Sequence, residues 1–441
     1  MSKTRTLDDM SPGLLRVMER ARRNPHERQR SLAYLVDVDA LRRAYKRVRG
    51  NASVGVDGVS KSVYGQDLER NLVDLHGRLK SMKYRHQAIR RIHIPKDDGR
   101  SRPIGVSTVE DKIVQGALCE ILGAIYEQDF KDSSYGFRPG RGCHDALRAL
   151  NRQAREGHVN VVLEADIKSF FDSIDRPMLL EMLRQRIADK SYMRLVSKCL
   201  HAGVLEGVEF HRPNKGTSQG SIISPMLGNI YLHYVLDEWF EDEVKPRLKG
   251  RGTLIRYADD LIICFERMDD ARRVMDVLGR RLKKYGLSLH PEKTRLIEFR
   301  RPPSGQGGGK GPGSFDFLGF TVFWRRNSQG RSWHLSWKTR KSRLAKAIKA
   351  IQSQCRRQRH WPVADQHIAL VQRIQGHFNY YGVNDNVESL KALEDAAERA
   401  WFKWLNRRSQ RSSMRWGRFL DLLTSHRLPK PRVYVNLWAT S

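Results

Sequence analysis

Cysteine is scarce in this chain. Its five cysteines, Cys119, Cys143, Cys199, Cys264 and Cys355, are scattered over 441 residues without CxxC spacing. That pattern supports neither a zinc site nor a disulfide framework, and it suits a reducing compartment. Long apolar runs are also missing, since none approaches the roughly 20 residues that a membrane-spanning helix needs. The first 30 residues are polar and basic, so no secretory signal is expected. No internal repeat of solenoid type is present. Negative charge is in short supply: 49 Asp+Glu stand against 81 Lys+Arg, a formal net charge of +32. Such an excess favours polyanions through counterion release and long-range attraction. An anionic membrane surface is one such polyanion, but with no spanning run a nucleic acid is the expected partner.

Where acids are few, paired acids are informative. Tyr257-Ala258-Asp259-Asp260 lies between the runs Gly252-Thr253-Leu254-Ile255-Arg256 and Leu261-Ile262-Ile263-Cys264-Phe265. Apolar β-branched residues on both sides predict two strands and a tight turn carrying adjacent carboxylates. A divalent cation relieves their repulsion, and hard oxygen ligands suit Mg²⁺. The plainer alternative is a solvated acidic turn. A second acid, Asp166, ends the apolar strand at 161–165 and is followed by Phe170-Phe171. Two-metal phosphoryl transfer needs acids from separate strands to bridge cations about 4 Å apart. Asp166 with Asp259 meets that need, with Asp260 as a supporting ligand. Asp172 and Asp175 fit helix capping better.

The chain divides into a basic extension at 1–60, a mixed region at 61–322 and a basic helical region at 323–441. Residues 1–30 are expected to be loosely ordered, and 31–49 show helical spacing. Helices are expected near 64–82 and 110–130, with strands at 88–95 and 102–106. The Gly- and Pro-rich stretch 300–313 predicts a flexible loop. Residues 321–441 carry 24 Lys+Arg against 7 Asp+Glu, with interleaved aromatics such as Tyr380, Trp401 and Trp404.

Further segments add to the set. Lys96 and Arg102 bracket a Gly-containing turn, and paired cations on a hairpin can clamp a triphosphate. Each taken alone also reads as a surface cation. The glycines of residues 216–221 permit close backbone approach, and the Gln219 amide can both donate and accept there. A plain helix-entry turn is the alternative. Phe171 would exclude a ribose hydroxyl if it lay beside a nucleotide, or it is a core ring. Lys293 could reach a phosphate. The strand at 315–320, with Gly319, could grip a primer end or simply belong to the core.

In order along the chain, these blocks resemble the reverse transcriptases encoded by bacterial group II introns, also called maturases. Residues 51–60 are similar to a "PGVDG" element, with Val54 in place of proline. Arg102-Pro103-Ile104-Gly105-Val106 resembles "RPLGIP", residues 134–141 read SYGFRPGR, and 217–231 resemble "TPQGGIISPLLANIY" with Ser218 and Ser221 as departures. Residues 166–172 and 257–260 match the two catalytic blocks, and 315–320 resemble "FLGF".

The resemblance implies an α+β right-hand polymerase: fingers and palm with an antiparallel sheet, then an α-helical thumb, the maturase X domain. It implies metal ligation by Asp166, Asp259 and Asp260 with the Ile167 carbonyl assisting, two Mg²⁺ per site, and Mn²⁺ as a substitute. It further implies triphosphate contacts from Lys96 and Arg102, deoxy selection by Phe171 and nucleotide positioning by Gln219. Tyr257, Lys293 and Gly319 are expected along the primer and template. The implied partners are an RNA template, a DNA or RNA primer, dNTPs and a structured intron RNA, in a bacterial cytoplasm, with the chain a monomer or dimer. Without paired cysteines, no HNH endonuclease is expected. Two other readings stay open: an RNA-binding splicing cofactor without polymerase activity, and a domesticated or defence-associated reverse transcriptase.

Overall fold

The computed structural model describes residues 10–95, 101–207, 209–211, 215–303, 313–327, 329, 332–408 and 413–439. Lys96, with the rest of its turn, lies outside the described residues, as does 304–312 of the stretch expected to be a flexible loop.

The hub of the N-terminal half is the helix Val109–Tyr126, capped by Thr108, whose side chain accepts from the Asp111 N–H. Ile113, Val114, Ala117, Leu118, Ile121, Leu122 and Ile125 on it are essentially inaccessible. A helix apolar on nearly every face has to be surrounded, and this one is. One covering element corrects an expectation. Residues 12–23, expected to be loosely ordered, form the helix Pro12–Arg23, capped by Ser11 and burying Leu14, Val17 and Ala21. A one-sided apolar stripe lay hidden in a basic composition. The following segment is fastened by the buried Arg186, which donates to the carbonyls of Ala21, Asn24, Pro25 and Glu27 and pairs with Asp129. The expected helix at 31–49 is present as Ala33–Leu35 and Val38–Arg47.

The central sheet has the order Gly252–Tyr257, Asp260–Phe265, Val161–Asp166, Arg295–Glu298, antiparallel throughout. Both faces of it are covered. Val161, Leu163, Ala165, Leu261, Ile263 and Phe265 enter the main core, while Val162, Ile255, Ile262 and Cys264 enter a second core with Phe299, Trp324 and Trp337. Side chains alternate between faces, so burial on both sides produces unbroken apolar runs in place of an apolar–polar alternation.

A second sheet stands beside the first. Ser101–Val106 pairs antiparallel with Ile89–Pro95, then Val204–Glu206 and Glu209–His211 extend the sheet. The expected antiparallel pairing is present, with one parallel pairing beside it, that of Ile89 with Val204. The chain reaches Val204 only after the helix Val109–Tyr126, the central strand Val161–Asp166 and the helices that follow it, and it returns in the same direction. The fold is mixed α/β with largely antiparallel sheets.

A third sheet, Phe315–Phe317, Phe320–Arg326 and Trp333–Thr339, leads into the helices Lys341–Gln358, Val363–Tyr381, Val387–Leu405 and Trp416–Ser425. The division expected at 322/323 falls inside the strand Phe320–Arg326, and the helical region starts at Lys341. Among the described residues no helix is long and apolar enough to cross a membrane.

Candidate active site

Strand register brings the acids together. Asp260 pairs with Asp166 on one side and with Tyr257 on the other, so Ala258 and Asp259 form a two-residue turn at the sheet's end. Directly opposed residues of adjacent antiparallel strands lie about 5 Å apart. Like charges at that spacing resist ionisation. Burial raises the Asp259 carboxyl above the usual range, and nearby Asp166 adds to this while Arg102 opposes it. Asp260 opens onto the cleft, yet the crowding protein first, then Asp259 and Asp166, push its carboxyl up to about 6. With Asp166 opposite them, these carboxyl oxygens make a hard donor set suited to a divalent cation. Among the described residues no three His, Cys, Asp or Glu side chains are gathered into a preformed metal cage. Positive charge near the acids comes instead from Lys293, whose Nζ lies 2.7 Å from Asp166 Oδ2. Lys293, expected to reach a phosphate, pairs in this structure with the carboxylate that ends the central strand.

Ile167 is buried and continues the strand into an isolated antiparallel bridge with Leu289. The bonds around it run from His290 N–H to the Asp166 carbonyl and from Lys168 N–H to the Ser288 carbonyl, leaving the Ile167 carbonyl outside both.

The turn is held from behind by residues that sequence reasoning assigned no role. Ala258 adopts a left-handed φ of +57°, which an alanine avoids unless its surroundings impose it. Arg256 Nη1 donates to the Ala258 carbonyl at 3.0 Å and to Asn229 Oδ1 at 3.1 Å, while its other nitrogens reach Asp237 and Ser134. Tyr135 N–H donates to the Arg256 carbonyl and Arg256 N–H to that of Ser133, so residues 133–135 run alongside the strand as an added rung. Gly136 follows because nothing larger fits: a Cβ there would come within 2.4 Å of the Ala258 nitrogen. Asn229 closes the circuit by donating to the Gly136 carbonyl at 2.6 Å. The SYGFRPGR block was visible in the sequence, but its contact with the acidic turn was not.

The nucleotide-side candidates also meet. Arg102 Nε donates to Gln219 Oε1 at 2.9 Å, and the Gly105 N–H donates to the Gln219 carbonyl. Gly220, at φ +100°, lets this loop lie against Gly105, since a Cβ would come within 2.6 Å of the Gly105 carbonyl oxygen. Thr217 N–H donates to the Phe171 carbonyl at 2.7 Å. Phe170 is buried and Phe171 is half-buried, with ring centroids 5.1 Å apart. Asp175 caps the helix Arg176–Arg186, as expected.

On the far side, Leu318 and Gly319 both have positive φ, +50° and +80°, in a two-residue hairpin turn. Tyr380 donates to the Leu318 carbonyl, and Arg340 N–H donates to the Gly319 carbonyl. This hairpin is thereby tied to the first helices after it. Tyr257 packs 6.2 Å from Phe137, and burial raises its phenol.

A family model for reverse transcriptase (RNA-dependent DNA polymerase) matches residues 94–322, more than half of the chain. The chain is 36% identical over 223 residues to the group II intron-encoded protein LtrA of Lactococcus lactis subsp. cremoris, covering 49% of this chain and 37% of that protein. It is 34% identical over 245 residues to protein YkfC of Escherichia coli K12, covering 49% and 64% respectively. An uncharacterized 91 kDa protein in the cob intron of Schizosaccharomyces pombe is 36% identical over 224 residues, covering 51% and 27%. Each match spans less than two thirds of the relative's own length.

Proposed function

This chain belongs to the reverse transcriptase family, and from that premise we propose that it is an RNA-directed DNA polymerase of the group II intron type. The observation that carries the reading is the register that opposes Asp166 to Asp260, with Asp259 in the turn beside them. Asp166, Asp259 and Asp260, with the Ile167 carbonyl, are the proposed ligands of two Mg²⁺, with Mn²⁺ as a substitute. When bound, the cations would lower the pKa of a primer 3′-hydroxyl and neutralise charge developing on the triphosphate. Arg102 would meet the triphosphate, and its bond to Gln219 would set the incoming nucleotide's height above Phe171. Lys96, outside the described residues, would join Arg102 at the triphosphate. Phe171 would occupy the space of a ribose 2′-hydroxyl. Tyr257 and the Gly319 hairpin would support the primer end. Lys293, released from Asp166 when a cation binds, would serve a backbone phosphate.

Residues 61–322 would then form fingers and palm, and the helices from Lys341 onward a thumb of the maturase X type. Its basic surface, with the N-terminal extension at 1–60, supports binding of a structured intron RNA whose own chemistry performs splicing. RNA template, DNA or RNA primer and dNTPs are the proposed substrates, in a bacterial cytoplasm.

Primer extension on an RNA template with dNTPs and Mg²⁺ tests the reading. Extension by the wild type that disappears in Asp259→Ala, with RNA binding retained, supports it. A folded wild type that binds RNA but never extends a primer would overturn it and leave the splicing-cofactor role.

A further inference from the structure

A groove of about 920 Å³ opens at the end of the central sheet opposite the acidic turn. Its position follows from the central strand. Asp166 ends Val161–Asp166, whereas Asn160, just before that strand begins, bonds Phe299, and the Phe299 carbonyl accepts from Trp324 Nε1 at 2.8 Å on the groove wall. Six residues of strand separate the two places, roughly 20 Å.

Among the described residues the lysines and arginines lining the groove are all arginine: Arg155, Arg301, Arg325 and Arg326. Among the described lining residues Asp385 is the one carboxylate, paired with His334 at 2.7 Å and lying 3.8 Å from Arg325. A smaller cavity of about 280 Å³ shares Arg155 and Trp438 with it and adds Arg148 and Arg152, against Glu156. The aromatic members are placed among these cations. The Arg326 guanidinium lies 5.0 Å from the Trp333 ring centre, and that of Arg301 lies 6.0 Å from the Trp324 ring centre. Trp438 keeps 36% of its surface exposed, with its edge against His334 and its Nε1 anchored on the Leu335 carbonyl. Its backbone is tied down by Arg155, and its neighbours by Asn151 and Arg148.

This is not a solvated charge patch of flexible lysines. Guanidinium planes fork onto phosphate oxygens and stack on bases, and tryptophan faces accept any base. A duplex buries its base faces inside the stack, so a groove of rings and guanidinium planes suits unpaired nucleotides. From this juxtaposition we propose that the groove is a second nucleic-acid site, one that holds a single strand by phosphate contact and base stacking while the catalytic cleft is occupied. The proposal goes beyond the polymerase reading and does not rest on it.

The test uses the full chain with labelled single-stranded RNA and DNA oligonucleotides of roughly ten nucleotides, within the usual span of such sites. Affinity is measured by anisotropy with and without saturating template–primer duplex. Single-strand binding should persist beside the duplex and weaken about tenfold in Trp333→Ala. The pair Arg301→Gln with Arg326→Gln, both outside the core, should flatten the dependence of log affinity on log salt by about 1.4 for two lost phosphate contacts. Equal affinity for RNA and DNA would indicate phosphate and base-face contacts alone; a preference for RNA would add the 2′-hydroxyl, and both outcomes support the site. Unchanged affinity and salt slope in the folded double-arginine variant would overturn the proposal. Complete displacement of the single strand by the duplex would do the same.

Discussion

The Arg256 guanidinium grips the Asp237 carboxylate with two prongs, Nε to Oδ1 at 2.7 Å and Nη2 to Oδ2 at 2.5 Å, and neither side chain reaches solvent. Asp237 ends the π-helical stretch His233–Asp237, and Arg256 sits on the strand that leads into the acidic turn. The pair fixes a helix against that strand and, through Nη1, holds the carbonyl of the strained Ala258. Breaking one member leaves a buried charge uncompensated, which costs about 3–5 kcal/mol. Arg256→Leu should therefore lower the unfolding free energy measured in urea by that order, and Arg256→Leu combined with Asp237→Leu should recover much of the loss. Additive losses in that double variant would refute the coupling.

Gly136 offers a subtler perturbation of the same turn. Alanine there would press on the Ala258 nitrogen, and since the contact is with backbone, the turn has to move. A displacement near 1 Å at reacting groups can cost about a hundredfold in rate. Gly136→Ala is expected to reduce primer extension by about that factor while the melting temperature changes by only a few degrees. Wild-type extension rates would show that the turn does not lean on residue 136.

Phe171 is expected to govern sugar choice. Phe171→Ala should raise rNTP incorporation relative to dNTP by tenfold or more, read as the ratio of kcat/KM values. Because Phe170 carries the core contacts and Phe171 is only half-buried, stability should fall less than for Phe170→Ala. An unchanged rNTP/dNTP ratio would return Phe171 to the core.

The pH response of the helical region should trace to His377. Burial lowers its imidazole from 6.5 to about 4, and its Nε2 has no hydrogen-bond partner among the described residues. The folded state thus disfavours the protonated ring that the unfolded chain accepts. The resulting stability is complete above 6.5 and is lost as the pH falls towards about 4, by at most about 3 kcal/mol. His377→Phe should flatten the melting temperature across that window. The same acid sensitivity in the variant would place the titrating group elsewhere.

Much of the chemistry was legible because it is local. Asp259 and Asp260 are neighbours in sequence, and the apolar runs around them and before Asp166 mark strands by composition alone. Two features were misread for a physical reason. The helix Pro12–Arg23 looked unstructured because charge dominates its composition, although its apolar stripe is enough once the helix Val109–Tyr126 covers it. The strands at 323–339, ahead of the helix expected from about 338, were missed because Trp324, Leu335 and Trp337 complete a core assembled from distant segments.

By itself, the sequence determined which strands end in carboxylates, the excess of positive charge and the ordered blocks of the reverse transcriptase family. Tertiary structure alone decided that Lys293 meets Asp166 across 127 residues, that Arg256 meets Asp237 in a sealed pocket, and that Gly136 touches the acidic turn. Periodicity and composition report how a residue relates to its own strand or helix. Register between strands, and the burial that forces a charge to find its partner, arise only when segments far apart in the chain share one core.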